Sequence, residues 1–497
     1  MAIETSAEPA VEVDQRAEQD VRRTWIIYLL FLGSGIPALI YEIVWQRALF
    51  ALYGINIESV TIVVSAFMLG LGLGSLGGGI LSRSRLISPV ALFAAAEFGT
   101  AIFGLVSLSI FRYVAEYTLA RPLWTTALIS FLLVVVPTVL MGSTLPLLVE
   151  QLVRSSHNVG GSVGALYFVN TLGSGVACII VARPLMSYFG QAGSVQCAAL
   201  MNALVGASAL VYGFHSKRDA GEAEYVSKHG SEPMDSRLVP FTLALFCATL
   251  CGLAALSYEI IWYRLLAFAS RDTAPAFASL LGSYLVGLAL GSRFAEGYAE
   301  RHPAEPTIPV LGTIILGSAI VGFWVSPASA LALKIISPES VSGRWSASLV
   351  FLILICHAAI LFGAIFPLIA HVAVGPKRVG SAVSRLYAAN IAGSTLGVLL
   401  VGFILMDRFS LYRISLVLLI GGVLCAAAVF RLSARLPRGR KPAFALACTA
   451  AVFIAPISRP VFRTIYDRLL FKSLYPAIHF QEVLESRSGT IGVTPDG

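Results

Sequence analysis

The chain has 497 residues, of which 57% are hydrophobic and only 12% charged, and its mean hydropathy is +0.82. Ordinary soluble domains carry about 25% charge, so a chain this apolar cannot cover a water-facing surface. The composition excludes a disordered regulator, a coiled coil and a nucleic-acid-binding domain, and the net charge of +8 belongs to basic loops between apolar runs rather than to a nucleic-acid surface.

Residues 1–24 are polar, with Glu4, Glu8, Glu12, Asp14, Glu18 and Asp20 near the start. This is not a basic segment before a short apolar run, so it does not read as a cleavable signal peptide, and a disordered tail is expected. A bilayer span takes roughly 20 mostly apolar residues. Such runs lie near 25–46, 60–81, 89–111, 123–149, 160–182 and 190–214. A charged linker, 215–239, follows. Six more runs come after it, near 240–263, 276–294, 307–326, 347–373, 380–405 and 411–430. A shorter run, 442–457, is either a thirteenth span or an interfacial segment within the basic stretch 432–458.

Hydrocarbon leaves unpaired backbone groups unsatisfied, so spans of this length must be helices. The predicted fold class is an all-α polytopic membrane protein. Lys and Arg are commoner in the loops on the N-terminal side, with Arg431, Arg435, Arg438, Arg440 and Lys441 clustered after the twelfth run. This bias predicts a cytoplasmic N-terminus and linker. The seven cysteines lie in apolar runs without metal-ligand spacing, so they read as small packing residues.

The strongest signal is internal repetition. Tyr41-Glu42-Ile43-Val44-Trp45-Gln46-Arg47 recurs as Tyr258-Glu259-Ile260-Ile261-Trp262-Tyr263-Arg264. Gly70-Leu71-Gly72-Leu73-Gly74-Ser75 recurs as Gly287-Leu288-Ala289-Leu290-Gly291-Ser292 at the same spacing. Gly142 and Pro146 match Gly363 and Pro367, and Tyr167, Asn170, Gly173 and Ser174 match Tyr387, Asn390, Gly393 and Ser394. Two six-span halves in the same order, 25–214 and 240–431, are parallel repeats related by an axis along the membrane normal. That arrangement is major-facilitator-like, with the substrate path between the halves. The glycine runs lie inside an apolar span, so they read as close helix contacts rather than a nucleotide loop.

These motifs, together with Met141-Gly142-Ser143-Thr144-Leu145-Pro146 and Leu166-Tyr167-Phe168-Val169-Asn170-Thr171-Leu172-Gly173, resemble the membrane portion of fused major-facilitator/spermidine-synthase proteins. The tail, 459–497, with Val483-Leu484-Glu485-Ser486-Arg487-Ser488-Gly489-Thr490-Ile491-Gly492-Val493, is similar to the opening β-strand segment of a spermidine-synthase-like domain. The resemblance implies a Rossmann-like enzyme portion, in cis or in trans, but none of its catalytic positions occurs here. No nucleophile–base pair or metal-ligand spacing is present either. No catalytic residue, metal or cofactor is therefore assigned.

Ionisable residues inside spans are costly and mark functional candidates. Glu42 and Glu259 could form two pseudo-symmetric carboxylates facing a central cavity. Alternatively, they could form structural ion pairs with Arg47 and Arg264, with Trp45 and Trp262 as interfacial anchors. Glu97, midway along the third run, has no acidic counterpart in the second half. It suits proton coupling or helix packing. Tyr167 with Asn170, and Tyr387 with Asn390, share helix faces and could bind substrate or bond between helices. His357, Arg385 and the prolines are weaker candidates.

The expected partners are the lipid bilayer and a small molecule, polyamine-like by analogy with the fused domain. The expected location is the inner membrane of a bacterium. The expected function is a carrier of a small cationic metabolite working by alternating access. The alternative is a non-transporting anchor for an aminopropyltransferase-like domain.

Overall fold

The computed structural model describes residues 8–53, 56–82, 87–118, 121–156, 159–220, 239–270, 275–336, 343–375, 379–431, 440–486 and 489–494. Most of the 215–239 linker lies outside the described residues. The first half contains α1 (Glu8–Tyr53), α2 (Asn56–Leu81), α3 (Pro89–Thr118), α4 (Leu123–Ser156), α5 (Val159–Ile180) and α6 (Met186–Ala220). The second half contains α7 (Phe241–Ser270), α8 (Pro275–Arg301), α9 (Ala304–Ile336), α10 (Gly343–Ala373), α11 (Val379–Leu399) and α12 (Leu411–Arg431). Thirteen helices among the described residues are long and apolar enough to cross a membrane. The chain is an all-helical polytopic membrane protein.

Helix α1 begins at Glu8, so residues 8–24 extend the first helix where the composition suggested a disordered tail. The stretch Ala10–Leu32 contains neither glycine nor proline, and its many Glu, Gln, Ala and Arg residues are good helix formers. The connection after α5 is also unlike a simple loop. A π-helical turn, Val181–Leu185, leads directly into α6, and the chain reverses at Gly190, whose φ of 63° and ψ of −169° favour glycine. The corresponding place in the second half is a π-helical turn, Leu400–Leu405, and a last turn, Met406–Arg408. Pro146 and Pro367 lie inside α4 and α10, which continue through them.

Within each half the packing repeats. Helix α2 packs on α4 and α8 on α10, while α1 packs on α5 and α7 on α11. The repeated glycines sit where these helices cross. A Cβ at Gly142 would strike the Leu71 backbone, and one at Gly363 would strike the Leu288 backbone. The glycine-rich runs are therefore helix contacts, and small residues permit that close approach.

The halves meet along α2–α11 and α5–α8. The serine that closes each copy of the glycine motif bridges them. Ser75 donates to the Ser384 carbonyl at 3.3 Å, and Ser292 donates to the Gly164 carbonyl at 2.7 Å. Nearby, the Gly380 amide at the start of α11 donates to Glu150 at 2.9 Å.

The C-terminal region adds α13 (Arg440–Ile454), a 3-10 turn (Ala455–Ser458), α14 (Arg459–Arg463) and α15 (Ile465–Phe471). The apolar stretch Phe444–Arg463 stands on the outside of the bundle, since only 17% of its apolar window is buried, against 39–67% for the other spans. It starts beside the end of α12, where Phe430 and Phe444 stack. It finishes at the other side, where Phe462 packs on Phe323 and Tyr412. The segment therefore runs the length of the bundle rather than lying along one surface. Beyond it, β1 (Glu482–Ser486) and β2 (Gly489–Val493) form an antiparallel hairpin, with Leu484 opposite Ile491.

Candidate functional site

Tyr41-Glu42-Ile43-Val44-Trp45 occupies the second half of α1 and has the same geometry in α7. Residues four apart share a helix face, so Tyr41 stacks on Trp45 at 5.2 Å and Tyr258 on Trp262 at 5.5 Å. Both indoles are fully buried. This corrects the expectation that they anchor the membrane interface. They fill the contact between each half's first helix and its neighbours, Trp45 against Phe103 and Phe111 of α3 and Trp262 against Tyr284 of α8. With the aromatic pair fixed on one face, the intervening glutamate is turned toward the other half.

Glu42 and Glu259 line one cavity of about 160 Å3 between the halves. Each is 3% exposed, and both belong to the lining of the same space. Among the described residues neither forms an ion pair. The expected pairing with Arg47 and Arg264 is absent, because five residues turn the two side chains well apart around the helix. Arg264 instead reaches the C-terminal hairpin, where it donates to the Gly489 carbonyl at 3.0 Å and to Thr490 at 3.1 Å.

The same cavity is lined by Glu97, Tyr167, Asn170, Tyr387 and Asn390, so all seven residues singled out from the sequence converge on it. Their roles differ. Asn390 donates to the Ala248 carbonyl at 3.1 Å and so ties α11 to α7. The Asn170 side chain has no hydrogen-bond partner among the described residues and is available to the cavity. Tyr167 and Tyr387 both pack on Phe366, at 6.0 and 5.5 Å, forming an aromatic bridge between the halves. Glu97 accepts a hydrogen bond from Ser34 at 2.5 Å and another from Asn202 at 2.6 Å.

His357 and Arg385 lie elsewhere, both exposed. The His357 ring pairs with the Ile353 carbonyl of its own helix, and Arg385 lies over the Phe241 ring at 4.8 Å.

Sequence reasoning did not find Ser34, Asn202, Tyr284 and Phe366. Ser34 and Asn202 belong to none of the repeated motifs, and α1 and α6 bring them to Glu97. The hydroxyl of Tyr284 is buried without a partner among the described residues, and Tyr284 lines the cavity together with Glu259. Contacts between the halves lie toward both ends of the bundle. The two serine bridges lie toward the N-terminal side. Toward the other, Thr61 packs against Gly402 and Cys178 against Gly282.

No protein-family model matches the sequence, and a search of curated proteins finds no relative. Solved structures do match. A bacterial homologue of the iron transporter ferroportin in an outward-facing state superimposes with a TM-score of 0.57 at 13% identity, over 83% of this chain and 100% of that one. The same kind of protein with soaked iron gives 0.55 at 13% identity, over 82% and 99%. FucP, a major facilitator superfamily transporter in the outward conformation, gives 0.50 at 15% identity, over 82% and 97%. The chain has a major-facilitator-like fold. Within that fold, the cavity and its carboxylates lie between the two halves.

Proposed function

We propose that this protein is a carrier of a small cationic solute, an amine of the polyamine class, which crosses by alternating access between the two halves. One observation carries the reading. Glu42 and Glu259, related by the internal repeat, are buried and line one cavity, and among the described residues no cationic side chain pairs with them. Buried charges are retained only with a partner, and a solute bearing an ammonium group supplies one. The unpartnered Tyr284 hydroxyl and the Asn170 amide add polar groups to orient it.

Size narrows the class. A cavity of about 160 Å3 is close to an engineered cavity of about 150 Å3 that takes benzene. It suits a short diamine such as putrescine better than a long polyamine. The fused synthase of the resembling family gives the polyamine direction by analogy. The loop bias in Lys and Arg supports a cytoplasmic N-terminus.

The test is uptake of labelled putrescine and spermidine into proteoliposomes, with Glu42→Gln/Glu259→Gln alongside. Charge-assisted hydrogen bonds contribute about 1.5–3 kcal/mol each, so uptake should fall at least tenfold in the variant at unchanged protein level. Equal uptake by wild type and variant would sink the role of the pair.

The second reading is a membrane anchor for a synthase-like domain, and the hairpin docked on Arg264 favours it. This reading expects no solute flux from any proteoliposome. It also expects a synthase activity that is lost when the membrane portion is removed.

A further inference from the structure

The first half contains a polar cluster that the second half lacks. Glu97 of α3 is 2% exposed and receives hydrogen bonds on both carboxylate oxygens, from Ser34 of α1 and Asn202 of α6. Both donors are neutral. Both oxygens accept, which is the arrangement an ionised carboxylate takes. The negative charge is then buried at mid-span with no Lys, Arg or His forming an ion pair with it among the described residues. The Tyr41 phenol of α1 lies in its vicinity, and that hydroxyl has no partner among the described residues.

A second, independent observation points to a ligand. Asn202 is 3% exposed and lines the cavity, yet its Oδ1 atom has no hydrogen-bond donor among the described residues. Buried acceptors without partners are rare and call for an explanation. The free acceptor oxygen belongs to a side chain bonded to the buried carboxylate, which also accepts from the Ser34 hydroxyl. One carboxylate and several neutral oxygens form a donor set for a hard cation, and the single negative charge matches a monovalent one.

We propose that Glu97, Asn202 and Ser34 hold a monovalent hard cation of the sodium type at the edge of the central cavity. The site is asymmetric. The position corresponding to Glu97 in α9 is the apolar Ile315, so the second half offers no equivalent. Its role as the coupling ion rests on the carrier reading above, but its existence does not.

The experiment measures the thermal unfolding of the purified full chain without any amine. Sodium chloride is compared with N-methylglucamine chloride at equal ionic strength and fixed pH. A ligand that binds only the folded protein raises its unfolding temperature, and wild type should gain about 2–5 °C in sodium. Glu97→Gln and Asn202→Ala should each lose the gain, while Glu42→Gln/Glu259→Gln should keep it. If Glu97→Gln fails to fold, Asn202→Ala decides, since it leaves the carboxylate in place. The same unfolding temperature in both salts, or an undiminished gain in Asn202→Ala, overturns the proposal. A failure of amine uptake with an intact sodium gain would count against the carrier alone.

Discussion

Trp45 donates its indole N–H to Ser107 at 3.0 Å, while its repeat counterpart Trp262 has no acceptor among the described residues. The place of Ser107 in α9 is taken by Val325. The two halves thus bury the same ring at unequal energetic cost, since an unpaired buried donor costs about 1–3 kcal/mol.

Replacing each indole by phenylalanine should expose that difference. Trp45→Phe loses a made hydrogen bond, whereas Trp262→Phe removes an unsatisfied donor. The first should be more destabilising by about 1–2 kcal/mol, read as a larger drop in the unfolding temperature of detergent-solubilised protein. Alanine at either position should cost about 3–5 kcal/mol, as expected for a core indole. Equal drops for the two phenylalanine variants would show that the Ser107 bond contributes nothing.

The glycine crossings make a sharper prediction. Gly142→Ala and Gly363→Ala place a methyl group against the backbone of a neighbouring helix, where no rotamer change can relieve the overlap. Overpacking of this kind costs about 1–3 kcal/mol. Gly77→Ala meets nothing within 4 Å and should be neutral or slightly stabilising, because alanine is the better helix former. The recovery of monodisperse protein on size-exclusion chromatography checks the order. A poor yield of Gly77→Ala together with a normal yield of Gly142→Ala would contradict the packing account.

The docked hairpin should respond to pH. Burial pushes the Glu485 carboxyl up from its ordinary range, against the opposing pull of Arg264. The docked state therefore holds the proton more tightly than the released state does. Docking is at full strength below the ordinary carboxylate range and weakens as the pH rises through the raised value. Limited proteolysis of the C-terminal hairpin should be slower at pH 4.5 than at pH 8, and Glu485→Gln should level the two rates. Arg264→Ala should release the hairpin at either pH. Faster cleavage at the lower pH in wild type, after correction for protease activity, would reverse the assignment.

Several features were legible in the sequence because they are local. Twenty-residue apolar runs dictate membrane helices wherever they occur, and the repeated Tyr-Glu-Ile motif fixes two equivalent glutamates on equivalent helices. The parallel order of the two halves follows from the order of the motifs. The glycine spacing announces close contacts, though not which helix makes each one. Gly104 and Gly322, which receive the Tyr41 and Tyr258 rings, also lie in matching stretches, Ala101-Ile102-Phe103-Gly104 and Ala319-Ile320-Val321-Gly322, and were legible in principle.

Tertiary structure alone decided the rest. Trp45 and Trp262 sit near span ends in sequence, and only the packing of α3 and α8 against them makes them core residues. Glu42 was separated from Arg47 by helical rotation, and Arg264 was engaged by a hairpin more than two hundred residues later. Ser34, Glu97 and Asn202 are spread over three helices, and no local pattern links them. A span's existence depends on the free energy of its own residues in hydrocarbon. A buried carboxylate's partners depend on which distant side chains the folded bundle brings within hydrogen-bond reach.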